Sequence, residues 1–154
     1  MTEAGYRDLT NGLDPQRLAE HVRDGMSEND RTVRSLGIRF DAVAPGYAKL
    51  RMTVRDEMLN GFGICHGGYI TVLADSAFAY ACNSHNEQTV ASGISVDFMA
   101  PGRPADVLTA EAKEVFVAGR TGLYDVTVVN QREELVAVMR GKSYRLKGRA
   151  VVEL

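Results

Sequence analysis

Tryptophan is absent from this 154-residue chain, cysteine occurs twice and proline four times. Cys65 and Cys82 are too few for a disulfide scaffold, and each sits among small apolar residues where a free thiol packs well, so a reducing, cytoplasmic location is expected. A long apolar run is also missing. Met58 to Ala74 is the longest stretch without Asp, Glu, Lys or Arg, but it holds Asn60, His66 and four glycines and does not read as a membrane span. The first thirty residues carry acids and bases throughout with no apolar core, which argues against a secretory signal. An excess of one charge is lacking too. Eighteen Lys and Arg against twenty Asp and Glu leave a formal charge of -2, a balance that argues against non-specific nucleic-acid binding.

What is present is ordinary globular usage, 45% hydrophobic and 25% charged, in a chain of one-domain length. Such a chain buries about two-thirds of its unfolded surface and needs no metal or disulfide staple. Asp14 or Pro15 opens a helical pattern with Leu18, His21, Val22 and Met26 in phase, and a second short helix follows around Glu28 to Ser35 until Gly37 stops it. From Ile38 the period shifts toward two. Ile38 to Val43 and Tyr47 to Val54 read as a hairpin about Pro45-Gly46. The segment from Gly68 to about Asn83 reads as one long helix, because Ile70, Leu73, Ala74, Ala77 and Ala81 fall within about 100° on a wheel. Four strand-like runs follow: Val90 to Phe98, Val107 to Val117, Thr121 to Asn130 and Leu135 to Leu146. They predict a four-strand meander and an α+β fold with an antiparallel sheet, with residues 1–36 as a helical segment of the same domain as 37–154.

The unusual residues concentrate in Asn60-Gly61-Phe62-Gly63-Ile64-Cys65-His66-Gly67-Gly68-Tyr69, which runs into a helix carrying Asp75. Paired glycines at a helix start allow close approach of a ligand, and first-turn N–H groups without intrahelical acceptors suit an oxyanion. Counting ~100° per residue from Ile70, Asp75 falls near 140° and Gly68 near 160°, away from the core stripe. The bland reading of this pattern is a tight turn and a solvated surface Asp. An acid aligned with a glycine-rich helix start, among Ala74, Ala79 and Cys82, points instead to a site.

The blocks Leu59-Asn60-Gly61, Cys65-His66-Gly67-Gly68 and Leu73-Ala74-Asp75-Ser76-Ala77-Phe78-Ala79 resemble the hotdog-fold thioesterases of the phenylacetic-acid-degradation type. The resemblance continues through Val96 to Gly102, Gly119-Arg120-Thr121-Gly122, Tyr124-Asp125 and Arg140-Gly141-Lys142-Ser143. It implies a long helix wrapped by an antiparallel sheet, homodimers assembling to a homotetramer, and hydrolysis of acyl-CoA thioesters, with aryl-acetyl groups expected as the acyl part. Carried onto this sequence, it makes Asp75 the catalytic base or nucleophile and the Gly68 N–H the oxyanion donor. Asn60 orients water or thioester, and His66 shapes the loop. Gly67, Ser76, Arg120, Thr121, Arg140 and Lys142 are the candidates for holding substrate and coenzyme A phosphates, with Arg145 a further cation. No cofactor is implied, coenzyme A being part of the substrate, and neither a nucleic acid nor a membrane partner is expected.

Rival readings exist for the same residues. Cys65 and His66 suggest a thiolate–imidazole pair, but neighbours in an extended loop point to opposite sides. A zinc set with Cys82 and His85 would have to span ~20 Å of helix. Hydratases of this fold resemble one another in an Asp followed five positions later by His, where this chain has Tyr80. An acyl-CoA-responsive regulator with a DNA-binding helical segment is the alternative outside enzymes. Five Arg against seven Asp and Glu in residues 1–35 weigh against it. A thioesterase for aliphatic acyl-CoA is the remaining alternative.

Overall fold

The computed structural model describes residues 8–154; residues 1–7 of the expected N-terminal segment lie outside them. Helix α1 spans Pro15–Asn29 and starts where the sequence signals it. The Asp14 carboxylate accepts the N–H groups of Gln16 at 3.0 Å and Arg17 at 3.3 Å, and Pro15 occupies the first helical turn. Asp30 ends α1 and caps α2, Arg31–Ser35, by accepting the Val33 N–H at 3.0 Å. Leu18, Ala19 and Val22 are the buried face of α1.

Strands β1 (Arg39–Ala44) and β2 (Tyr47–Thr53) form the expected hairpin, with Gly46 at a left-handed φ of 67° in the turn. Helix α3, Gly67–Asn83, separates them from β3 (Glu87–Phe98), β4 (Val107–Ala118), β5 (Thr121–Val129) and β6 (Leu135–Ala150). The strand order is β1-β2-β4-β5-β6-β3, antiparallel at every step. This is the expected α+β arrangement of one long helix on an antiparallel sheet.

The meander differs from expectation. β4, β5 and β6 do run side by side, but β3 lies beyond β6 and β4 pairs with β2. The connection from β3 to β4 is not a tight turn but a crossing. Gly102 O accepts the Cys65 N–H at 2.7 Å, and Ala105 and Asp106 exchange bonds with Val54 at 2.9 and 2.8 Å. The chain is thereby carried from the β3 edge to the end of β2, and among the described residues no strand pairs with the outer side of β3.

The core lies between α3 and one face of the sheet. Ile70, Leu73, Ala74, Ala77 and Ala81 are buried against Leu50, Met52, Leu108, Ala110, Val126 and Ala137. Phe78 packs 5.3 Å from the Tyr124 ring, and Tyr80 meets Phe40 edge-on at 4.6 Å. Met52, Met58 and Met139 join this core, whereas Met99 is exposed. Among the described residues no helix is long and apolar enough to cross a membrane.

Candidate active site

The approach to α3 is a built turn. Asn60 N–H donates to Ile64 O at 2.8 Å, Gly63 N–H to Asn60 O at 3.0 Å, and His66 N–H to Met58 O at 2.8 Å. The Asn60 side-chain oxygen accepts the N–H groups of Phe62 at 2.9 Å and Ile64 at 3.4 Å, which leaves its NH2 as the end available to donate elsewhere. His66 is the N-cap of α3. Its Nδ1 accepts the Gly68 N–H at 2.9 Å, which places the ring proton on Nε2.

That cap changes the expected use of Gly68, because the N–H expected to meet an oxyanion is held by His66. Tyr69 N–H bonds His66 O at 3.0 Å, so the first-turn N–H without an acceptor among the described residues belongs to Gly67. The Phe98 ring lies directly over Gly67. A Cβ there would stand 2.8 Å from the ring, so glycine is what allows the approach.

Asp75 lies on the half-buried side of α3, as the wheel predicts. Its carboxylate has no hydrogen-bonding or ionic partner among the described residues, and burial pushes its pKa above the ordinary carboxylate range. It opens onto a cleft of about 360 Å³ between α3 and the start of β3. Phe78, Ala79, Cys82 and Asn83 form the helix side of this cleft, and Thr89 and Val90 the strand side. Ala79 and Cys82 were legible as neighbours of Asp75 from helical spacing. Met26 and Val151, which also line the cleft, carry no such signal because they come from opposite ends of the chain.

Within one chain the expected set divides in two. Asn60, His66, Gly67 and Gly68 cluster at the start of α3, and none of them lines the Asp75 cleft. Seven residues of helix separate Gly68 from Asp75, ~10 Å along the axis. Ser76 is half-buried beside Asp75 but does not line the cleft either. Of the candidate cations, Arg140 is held in a two-bond pair by Asp125 at 2.8 and 3.0 Å, and Arg145 lies 3.4 Å from Glu87. Arg120 and Lys142 are exposed and pair with no carboxylate among the described residues. Thr121 spends its hydroxyl on Ala118 O at 3.1 Å in the β4–β5 turn.

The rival chemistries meet specific obstacles. The buried Cys65 thiol points to the His66 carbonyl oxygen at 3.6 Å, its pKa is raised to about 11 by burial, and the His66 ring faces Gly68 instead. Tyr80 donates its hydroxyl to Asp30 at 3.0 Å, on the side of α2, and so is no second acid–base group for Asp75. Among the described residues no three His, Cys, Asp or Glu side chains gather as metal ligands.

Comparison with known proteins gives the family and the fold. A Thioesterase superfamily model matches residues 62–137. The chain is 47% identical over 123 residues to the acyl-coenzyme A thioesterase PaaI of Escherichia coli, covering 80% of this chain and 88% of that protein. It is 39% identical over 130 residues to a putative esterase of Archaeoglobus fulgidus, covering 84% of each. The solved structure of the E. coli PaaI protein from the phenylacetic acid degradation operon superposes with a TM-score of 0.86 at 43% identity, over 88% of this chain and 99% of that one. Sequence likeness over most of its length and a shared fold place the chain in one family: it belongs to the thioesterase superfamily, as a hotdog-fold member of the phenylacetic-acid-degradation (PaaI) type.

Proposed function

We propose that this protein hydrolyses aryl-acetyl-coenzyme A thioesters, phenylacetyl- or hydroxyphenylacetyl-CoA, to the free acid and CoA. The observation that carries the reading is Asp75, a partly buried carboxylate without a partner among the described residues at the head of a mainly apolar cleft. A carboxylate that burial makes more basic takes a proton from water more readily than a solvated one. In this scheme Asp75 removes the proton as the water oxygen attacks the thioester carbonyl. The oxyanion meets the Gly67 N–H, and the NH2 of Asn60 orients the reactants. Collapse of the tetrahedral intermediate breaks the C–S bond, and the departing thiolate takes up the proton. Direct attack by Asp75, through an anhydride that water then cleaves, uses the same groups.

The two halves of the site meet if two chains pair. Among the described residues the outer edge of β3 has no partner strand, and β3 carries exposed Val90, Ile94 and Phe98, a combination that in isolation invites association. Pairing there about a two-fold axis sets two α3 helices antiparallel, with the Gly67 end of each beside Asp75 of the other. The reading therefore includes a homodimer, and by family resemblance a cytoplasmic homotetramer. Arg120 and Lys142, free of carboxylate partners among the described residues, are the cations left to meet CoA phosphates.

The test is turnover of phenylacetyl-CoA, followed with a chromogenic thiol trap. Asp75→Asn is expected to keep the fold and lower kcat by ~100-fold or more, since the amide preserves shape and loses the basic oxygen. Near-normal turnover in the folded variant removes Asp75 from the mechanism. A wild-type protein that binds acyl-CoA without hydrolysing it favours the regulator, and a preference for alkyl chains over phenylacetyl favours the aliphatic thioesterase.

A further inference from the structure

Two segments outside residues 62–137, the region that matches the thioesterase family, also line the Asp75 cleft. One is Met26 of α1 and the other is Val151, in the tail that follows β6. The tail is anchored there. Asn86 Oδ1 accepts the N–H groups of Val151 at 3.1 Å and Val152 at 2.9 Å, while its Nδ2 donates to Val152 O at 3.1 Å and Leu9 O at 2.7 Å. Val152 also occupies the space that a side chain at Gly25 would need, so α1 and the tail are in direct contact beside Met26. Asn83, one of the polar side chains lining the cleft, is spent on bonds within the chain. Asn83 gives its NH2 to Ala79 O and Thr89 O, both at 2.9 Å, and accepts the Thr89 N–H at 2.8 Å.

From this geometry we infer that the acyl group lies along α3 from Asp75 toward Cys82, and that Met26 and Val151 form the stop that limits its length. The inference rests on the thioesterase reading and adds the substrate class. Asp75 and Cys82 are seven residues apart, which gives ~10 Å of run along the helix. An extended alkyl chain advances about 1.3 Å per carbon, given C–C bonds of about 1.5 Å. The cleft therefore takes an acyl chain of about eight carbons, or the shorter phenylacetyl group, and refuses chains of about twelve to sixteen carbons. Its ≈ 360 Å³ lies at the small end of ligand sites.

Two readouts test this on the full chain. Binding is measured by calorimetry with non-hydrolysable S-alkyl-CoA thioethers of four to sixteen carbons, and kcat/KM is measured on the matching acyl-CoA esters. For wild type both should rise to about eight carbons and fall by at least ~10-fold at twelve, since even one methylene that does not fit is worth about 10-fold. Met26→Ala and Val151→Ala should move the break two to four carbons longer, raising the ratio of kcat/KM on dodecanoyl-CoA to that on octanoyl-CoA ~10-fold. Met26→Phe should move it shorter. A cooperative melting transition near the wild-type temperature shows that a variant is folded, and Val151, beyond the last strand, gives a second chance if Met26→Ala is not. An unchanged length profile in the folded variants overturns the stop, as does thioether binding with no length limit. Thioether binding with the expected limit but no ester hydrolysis overturns the thioesterase reading and leaves the stop standing.

Discussion

Asp75 is held in a state that costs the fold something. Burial raises its pKa, and no partner among the described residues offsets the desolvation. The folded protein thus binds the Asp75 proton more tightly than the unfolded chain, where the value is about 3.9. The stability this lends is complete below that value and is lost as pH rises through the raised folded pKa. Asp75→Asn should accordingly melt at a higher temperature than wild type at neutral pH, with the gain shrinking to nothing in acid. Wild-type kcat/KM should fall as pH drops through the same raised pKa. Melting curves and rate profiles over pH 3 to 8 check both; a variant less stable than wild type at neutral pH contradicts the unpaired, desolvated carboxylate. The outward placement of Asp75 was legible because helical spacing alone sets it. The occupancy of the Gly68 N–H was not, since it depends on the His66 ring turning back onto its own helix. Nor was the capture of Arg140 by Asp125, which needs the β5–β6 register.

At the scale of elements, α3 packs on the sheet through large side chains with small residues between them, Ala74, Ala77 and Ala81 on the helix and Ala110 and Ala137 on the strands. Gly141 of β6 is the sharpest case. A Cβ there would stand 2.9 to 3.0 Å from three ring carbons of Phe78, a buried ring packed against Tyr124. Gly141→Ala should cost about 1–3 kcal/mol, the usual cost of overpacking a fixed core, read as a lower urea midpoint. An unchanged midpoint means α3 is free to lift from β6. The helices and strands were legible to within a few residues, since hydrophobic period and Gly, Pro and Asn breaks mark them. The neighbours of β3 were not. Pro101-Gly102 reads as a hairpin turn in sequence, and only the bonds from Cys65 and Val54 to the 102–106 segment show that it carries the chain across to β2.

At the scale of the whole molecule, the chain presents two half-sites and, among the described residues, an unpaired edge at β3. Asp75 with its cleft stands on one side of ~10 Å of helix, and Asn60, His66 and Gly67 stand on the other. The central claim is that each working site takes Asp75 from one chain and the turn from its partner. Complementation measures it directly: Asp75→Asn and Asn60→Ala, each inactive alone, are unfolded and refolded together in equal amounts. Random pairing makes about half the dimers mixed, each with one intact site in two, so roughly a quarter of wild-type hydrolysis should return. No recovery, with mixed dimers confirmed by mass, means that the site is built within a single chain.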